Sequence, residues 1–360
     1  MPAITLFGAG RWGTALSTHL AASGRDVTLW ARRSEVAAEM QRTRQHPTRL
    51  SDLRLPDALT ITSDVETAAS AADVWAIATP VPFLWEVAEQ LQPHVRDDVS
   101  VVSLSKGLDP NTLHRPSQML GEVCDALSSE QIGVLHGPGD AQEVAEKRPT
   151  TVVAAAASSE KAQTLRDTFM TSRLRVYSNT DVVGVEVGGA TKNVLAIATG
   201  LSDAAGYGDN VRAALITRGL GEIRRVGRAL GGQTETFSGL SGVGDLIATC
   251  TTPNNPSRFV GQRLGTGTSL DRVREELDGV AEGIPTARAV HEMATEHHLE
   301  VPIMTAVYEL LFENRDPEAM IQEVITRPNK RETWLPETLQ VPASKSSSSP
   351  PHASENASTE

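Results

Sequence analysis

Cysteine is almost absent: Cys124 and Cys250 are the only two in 360 residues. Two isolated thiols can build neither a disulfide framework nor a metal cage. Both are expected as small buried apolar residues, no metal is expected, and the usage suits a reducing cytoplasm. Long apolar runs are missing as well. None approaches the ~20 residues that cross a bilayer, so no membrane insertion is expected. The start, MPAITLF, has no basic flank before glycine punctuation begins at Gly8, which argues against an export signal. A basic excess is also lacking, with 33 Lys and Arg against 45 Asp and Glu and a net charge of −12. Such a surface repels a phosphate backbone and excludes nucleic acid as an expected partner. An anionic metabolite can still bind where positive charge is concentrated locally.

The chain is long enough for two domains of ordinary size. AITLF at 3–7 is a short apolar run, followed by GAGRWG, the helical pattern TALSTHLAASG and a second run, DVTLW. Strand, glycine turn, helix and strand in that order begin a parallel βαβ unit. Further strand candidates are 74–79, 99–105, 132–137, 150–156 and 173–178, several separated by helical patterns. These predict an α/β fold: a Rossmann-like, doubly wound parallel sheet domain over residues 1–180. From about 180 the pattern turns helical, as in 211–231 and 285–299, so residues 181–340 are expected as a mostly α-helical substrate-binding and catalytic domain. The last stretch, 341–360, is rich in Ser, Pro and Glu and is expected as a disordered tail.

Gly8, Gly10 and Gly13 give G-x-G-x-x-G directly after a strand and opening a helix. Such glycines permit a tight turn and close approach of the backbone to a pyrophosphate at the helix N-terminus. Arg11 and Trp12 stand inside the turn. At the end of the second strand, where an acid commonly meets the ribose hydroxyls of NAD, the chain offers Arg32 and Arg33. Two guanidinium groups suit a 2′-phosphate, so NADP is as good a cofactor candidate as NAD; solvated surface charges are the other reading.

Lys106, in SLSKGLD, follows a parallel strand at the edge where such sheets bind ligands, and is a candidate for an anionic substrate or the cofactor. HGPGDAQEV places Gly137, Gly139 and Ala141 between a strand and a helix, a turn that can present N–H groups to a ligand oxygen. The stretch GVEVGGATKNVLAIATG sets one lysine among very small residues. Read as a helix, it puts Gly188, Lys192, Ala196 and Gly200 on one face. That face leaves room for another molecule, the alternative being close helix packing. A partly desolvated ammonium loses proton affinity and becomes useful for proton transfer. Asp245, among Gly239, Gly242 and Gly244, can pair with a lysine, and Arg258, in a Pro and Asn rich loop, suits a phosphate.

In this order the motifs resemble the NAD(P)-dependent glycerol-3-phosphate dehydrogenase family, over residues 1 to about 330. FGAGRWGTAL, SLSKGLD, HGPGDAQEV, GVEVGGATKNVLAIATG, NVRAALITRGLGEI, TFSGLSGVGDL and GVAEGIPTARAV carry the likeness. The resemblance implies interconversion of dihydroxyacetone phosphate and sn-glycerol 3-phosphate, usually supplying the glycerol phosphate of phospholipids. It implies Lys192 as catalytic proton donor and acceptor, and Asp245, Lys106 and Gly137 as substrate positions. Arg258 would be shared by phosphate and cofactor, and Trp12, Arg32, Ala141, Val280 and Glu282 would touch the cofactor. Two positions depart from the family pattern. Gly139 stands where Ser or Thr is usual, and Ser257, Arg258, Phe259 stands for Ser-Arg-Asn. A reductase of the same architecture acting on another small 2-oxo or 3-hydroxy compound is the alternative, and a nucleotide-binding sensor without turnover a more distant one. Oligomeric state stays open, with a homodimer as the candidate.

Overall fold

The computed structural model describes residues 1–277 and 279–326; the expected tail at 341–360 lies outside the described residues. Strand β1 (Ile4–Phe7) is buried at all four positions, as a strand covered on both faces must be. It leads through Gly8 into helix α1 (Arg11–Ala22), and β2 (Val27–Trp30) lies parallel beside it with Ile4 opposite Val27. Helix α2 (Ser34–Thr43) and a loop then lead to β3 (Thr60–Thr62), parallel to β2. β3 was not among the expected strands, because three residues are too few to display an alternation. After α3 (Val65–Ser70), β4 (Val74–Ile77) pairs with the other side of β1, so the order of strands reverses there. In sheets of this kind that reversal marks the ligand crevice. Helix α4 (Leu84–Leu91), β5 (Ser100–Ser103), α5 (Pro116–Val123) and β6 (Ile132–His136) continue the parallel pattern.

The parallel expectation fails at one junction. Strand β7 (Thr150–Ala156) runs antiparallel to β6, with Gly133 opposite Ala156. The intervening α6 (Ala141–Ala145) explains why. Five helical residues rise only about 7.5 Å, half the length of the strand a parallel crossover would have to retrace. After α7 (Ser159–Phe169), β8 (Leu174–Asn179) lies parallel to β7 and closes the sheet order β3-β2-β1-β4-β5-β6-β7-β8. Successive side chains of β1 enter different layers. Ile4 and Leu6 pack with Leu16 and Leu20 of α1, while Phe7 meets the Trp75 ring edge-on at 5.8 Å.

The second half winds around α8 (Val182–Ala204), whose 23 residues span about 34 Å. Apolar and small nearly all round, α8 is buried along almost its whole length, as such a helix must be. Its start is fixed by Asp181, whose carboxylate accepts from Gly184 N at 2.8 Å, Gln233 N at 2.8 Å and Thr236 Oγ1 at 2.6 Å. Around it stand α9 (Asp209–Ala229), α10 (Asp245–Thr251) and α11 (Pro256–Gly265), followed by α12 (Leu270–Glu276), α13 (Gly283–Glu296), α14 (Pro302–Phe312) and α15 (Pro317–Thr326).

The small-residue face of α8 is filled by close packing, which corrects the expectation that it leaves room for another molecule. A Cβ on Gly188 would stand 2.5 Å from the Ser241 carbonyl oxygen, and one on Gly200 would be 2.9 Å from the Arg258 carbonyl carbon. Backbone lies against backbone at both ends, and Lys192 projects between them. Residues Met1–Thr326 form one compact unit. Among the described residues no helix is long and apolar enough to cross a membrane.

Candidate active site

Asp245 opens α10 and is 1% exposed, held between two lysines. Lys192 Nζ, from the middle of α8, donates to Asp245 Oδ1 and to Thr249 Oγ1, the latter at 2.7 Å. Lys106 Nζ, just beyond the carboxyl end of β5, donates to Asp245 Oδ2 at 2.7 Å and to the Gly137 carbonyl at 2.8 Å. Lys106, Gly137, Lys192 and Asp245, four of the expected site residues, are thus brought together from four separate elements. Burial pulls the Lys192 ammonium down to about 8, and Lys106 adds to this while Asp245 opposes it. Burial alone would raise the Asp245 carboxyl, but the two ammonium groups outweigh it and hold the group below its ordinary value. The cluster is therefore a carboxylate with two cations, one of which can gain or lose a proton near neutral pH.

Two members of the cluster's surroundings were not anticipated. Thr249 lies one helical turn after Asp245, so i,i+4 spacing on α10 carried the signal. His136, the last residue of β6, is fully buried beneath Lys106, with Nδ1 3.1 Å from the Val185 carbonyl and Nε2 3.0 Å from the Ser105 carbonyl. Burial, reinforced by Lys106, pushes its pKa down to about 3, while the Val185 carbonyl opposes the shift.

The glycine turn shows a separate use for each glycine. Gly8 has φ +124, and a Cβ there would stand 2.6 Å from the Ala78 carbonyl oxygen. Gly13 packs directly on the Gly8 carbonyl, whereas a Cβ on Gly10 would meet nothing within 4 Å. Among the described residues the space beyond Gly10 is open and no side chain caps α1, whose first-turn N–H groups face it. A pyrophosphate fits those donors. Arg11 is exposed in the same turn, and Ala141 starts α6. Arg32 turns to Glu86 at 2.9 Å and over the Phe83 ring, while Arg33 is exposed at the start of α2, 3.9 Å from Glu35.

Glu282, just before α13, reaches back to accept the Val81 N–H at 3.0 Å. Burial pushes its pKa up to about 8, and its second carboxyl oxygen, Oε2, is buried without a partner among the described residues. An orphaned polar atom beside Gly107 is what a ligand amide would satisfy, so this residue also fits a dinucleotide. Val280 lines a neighbouring cleft of about 360 Å³ with Pro82, Pro110, Ile284 and Arg288.

The remaining candidates are arranged otherwise than the sequence suggested. Arg258 lies in the first turn of α11, not in a loop. Asn255 caps that helix by accepting the Arg258 N–H at 3.1 Å. Its guanidinium donates to Asp203 from Nε at 2.9 Å and to the Thr252 carbonyl at 3.3 Å, so it is engaged away from the lysine cluster. Ser257 is buried, with Oγ accepting the Gly283 N–H at 3.3 Å, and Phe259 packs against the helical core. A Cβ on Gly139 would stand 2.8 Å from Trp12 Cη2, so a side chain there requires the indole to move. The indole occupies the place a Ser or Thr would need.

A dinucleotide-binding turn at the sheet's reversal, together with a lysine–carboxylate–lysine cluster that joins Lys106 of the sheet half to Lys192 and Asp245 of the helical half, defines a nicotinamide-dependent dehydrogenase. Residues 3–162 match the N-terminal part of the NAD-dependent glycerol-3-phosphate dehydrogenase family, and residues 181–322 match its C-terminal part. The chain belongs to that family. It is 53% identical over 336 residues to glycerol-3-phosphate dehydrogenase [NAD(P)+] 2 of Salinibacter ruber, covering 93% of this chain and 98% of that one. It is 42% identical to the glycerol-3-phosphate dehydrogenase [NAD(P)+] of Chlorobium phaeobacteroides, covering 91% and 98%. The crystal structure of glycerol-3-phosphate dehydrogenase from Coxiella burnetii superposes with a TM-score of 0.85 at 34% identity, covering 91% of this chain and 99% of that one. A ketopantoate reductase from Ralstonia eutropha, 16% identical with a TM-score of 0.56, shares the fold alone.

Proposed function

We propose that the chain interconverts dihydroxyacetone phosphate and sn-glycerol 3-phosphate with NAD(P)H, supplying glycerol phosphate for phospholipids. The observation that carries the reading is the Lys192–Asp245–Lys106 cluster in a chain whose sheet reverses at a dinucleotide-type glycine turn. A bound nicotinamide supplies or takes the hydride. Lys192, poised at about 8, gives a proton to the oxygen that becomes the alcohol and takes it back in reverse. Lys106, 22% exposed at its side chain, stands on the open side of Asp245 and polarises the same oxygen. Asp245 keeps both amines in place. The turn at Gly8, Gly10 and Gly13, with Arg11 and Trp12, would hold the dinucleotide, and Glu282 would hold its amide end. Arg32 and Arg33 favour a 2′-phosphate, provided Arg32 leaves Glu86. A phosphate at Arg258 requires that side chain to leave Asp203.

The same reading divides the chain near 180, supported by the change from strands to helices at Asp181. It places the protein in the cytoplasm, leaves nucleic acid out on the net charge of −12, and admits a homodimer. The test is loss of NADPH, and separately NADH, absorbance with dihydroxyacetone phosphate and with unphosphorylated dihydroxyacetone. Oxidation that requires the phosphate is expected; cofactor binding without oxidation would point to another carbonyl substrate.

A further inference from the structure

The loop between α2 and β3 carries His46, which is 2% exposed although nothing in the expected site calls for it. Its Nδ1 accepts two backbone N–H groups, from Thr48 at 3.2 Å and Arg49 at 3.0 Å. A nitrogen that accepts twice carries no proton, so in the neutral ring the proton sits on Nε2. Nε2 lies 3.0 Å from the carbonyl oxygen of Ala9, between the first two glycines of the turn. Burial keeps the ring neutral against the raising effect of that carbonyl, and the Arg49 and Arg33 guanidinium groups act in the same sense as burial.

The Ala9–Gly10 peptide is planar and trans, so its C=O and N–H point to opposite sides. Fixing the carbonyl on His46 therefore fixes the Gly10 N–H on the other side. That plane turns on Ala9 ψ and Gly10 φ, and the glycine on its C-terminal side offers little resistance of its own. We propose that His46 is a positioning residue for the cofactor: its Nε2–H locks the Ala9–Gly10 peptide plane so that the turn meets the dinucleotide pyrophosphate already aligned. Loss of the lock leaves the chemistry of Lys192 intact and makes binding carry the cost of ordering the turn. This rests on the dinucleotide reading of the turn given above.

Two amide side chains separate the two halves of the ring's work. In His46→Gln the amide nitrogen takes the place of Nε2 and donates to Ala9. In His46→Asn the amide oxygen takes the place of Nδ1 and keeps the loop's two N–H groups, but nothing reaches Ala9. The experiment is calorimetric titration of the full chain and of both variants, with His46→Ala, against NADPH and NADH, together with KM, kcat and melting temperature. His46→Asn and His46→Ala should raise Kd and KM for the cofactor about tenfold, with kcat unmoved, and His46→Gln should bind nearly as the parent does. Binding by His46→Asn as tight as the parent's overturns the proposal. So does His46→Gln as weak as His46→Ala, because the loss would then follow ring packing rather than the donor. A parent chain that binds neither cofactor would overturn the dinucleotide reading itself, and the proposal with it.

Discussion

Replacing Asp245 by Asn keeps the shape of the side chain and removes the one negative charge between Lys106 and Lys192. Two unit charges about 3 Å apart attract by about 5 kcal/mol at an effective dielectric of about 20, which is an upper figure for a buried pair. Even a third of that exceeds one pKa unit, worth about 1.4 kcal/mol. Lys192, at about 8 in the parent, should therefore fall to about 7 or lower, with Lys106 now repelling it unopposed. Reduction needs Lys192 protonated, so its rate is lost as pH rises through this pKa, and oxidation of glycerol 3-phosphate gains over the same range. At pH 7.5 a group of pKa 8 is about three-quarters protonated and one of pKa 7 about one-quarter, a threefold loss before any change in geometry. The assay is kcat/KM for dihydroxyacetone phosphate reduction from pH 5.5 to 9.5, which reports the free enzyme. The falling limb should move to lower pH by at least about one unit in Asp245→Asn. A limb that stays at about 8, or moves up, would refute the argument that this carboxylate sustains the lysine's proton.

Lys192→Met should keep cofactor binding and lower turnover by at least about a hundredfold, measured as cofactor oxidation; turnover within tenfold of the parent would remove Lys192 from its role. Gly200→Ala forces a Cβ to within 2.9 Å of the Arg258 carbonyl carbon and 3.0 Å of Gln262 N. It should cost about 3 kcal/mol or more in urea unfolding, against about 1 kcal/mol for Gly208→Ala, where the space is open and only an N-cap preference is lost; similar midpoints would contradict the backbone contact. His136 has a folded pKa of about 3 against an ordinary 6.5, so the unfolded chain takes up a proton that the folded one refuses. Its contribution to stability is whole above about 6.5 and falls by about 1.4 kcal/mol per pH unit below it, and His136→Gln should flatten that part of the unfolding profile.

What could be read in the sequence was what depends on neighbours along the chain. The glycine turn is such a case, because strand, turn and helix are adjacent and each glycine answers a local demand. Lys192 stood out for a sound reason and a mistaken one. It is a desolvated amine, but the small residues around it serve packing against Ser241 and Arg258, contacts made across tens of residues. The helical setting of Arg258 was legible in Asn255–Pro256, a capping residue followed by proline at the first helical position. Its partner Asp203, 55 positions away, was not. Thr249 could have been found by spacing alone. His46 could not, since its partner Ala9 is 37 residues distant, and Glu282 was reached only through the family resemblance, because its contact with Val81 spans 201 residues. The direction of β7 depended on a helix too short to cross the sheet, a property of length that the strand pattern does not display.

That reversal at β7 bears on how a chain of this kind can change over time. Because β6 ends and β7 begins at the same edge, residues 137–149 never cross a face of the sheet. Exchanges at its exposed positions, such as Asp140, Gln142 and Glu146, leave the strand register untouched, whereas Gly137, whose carbonyl holds Lys106, and Val144, buried with Ala15 of α1, are fixed by their contacts. Gly139, in contact with Trp12, lies in this stretch, as does Ala141. Selectivity can be retuned in such a segment while the proton chemistry, locked into a buried helix, stays as it is.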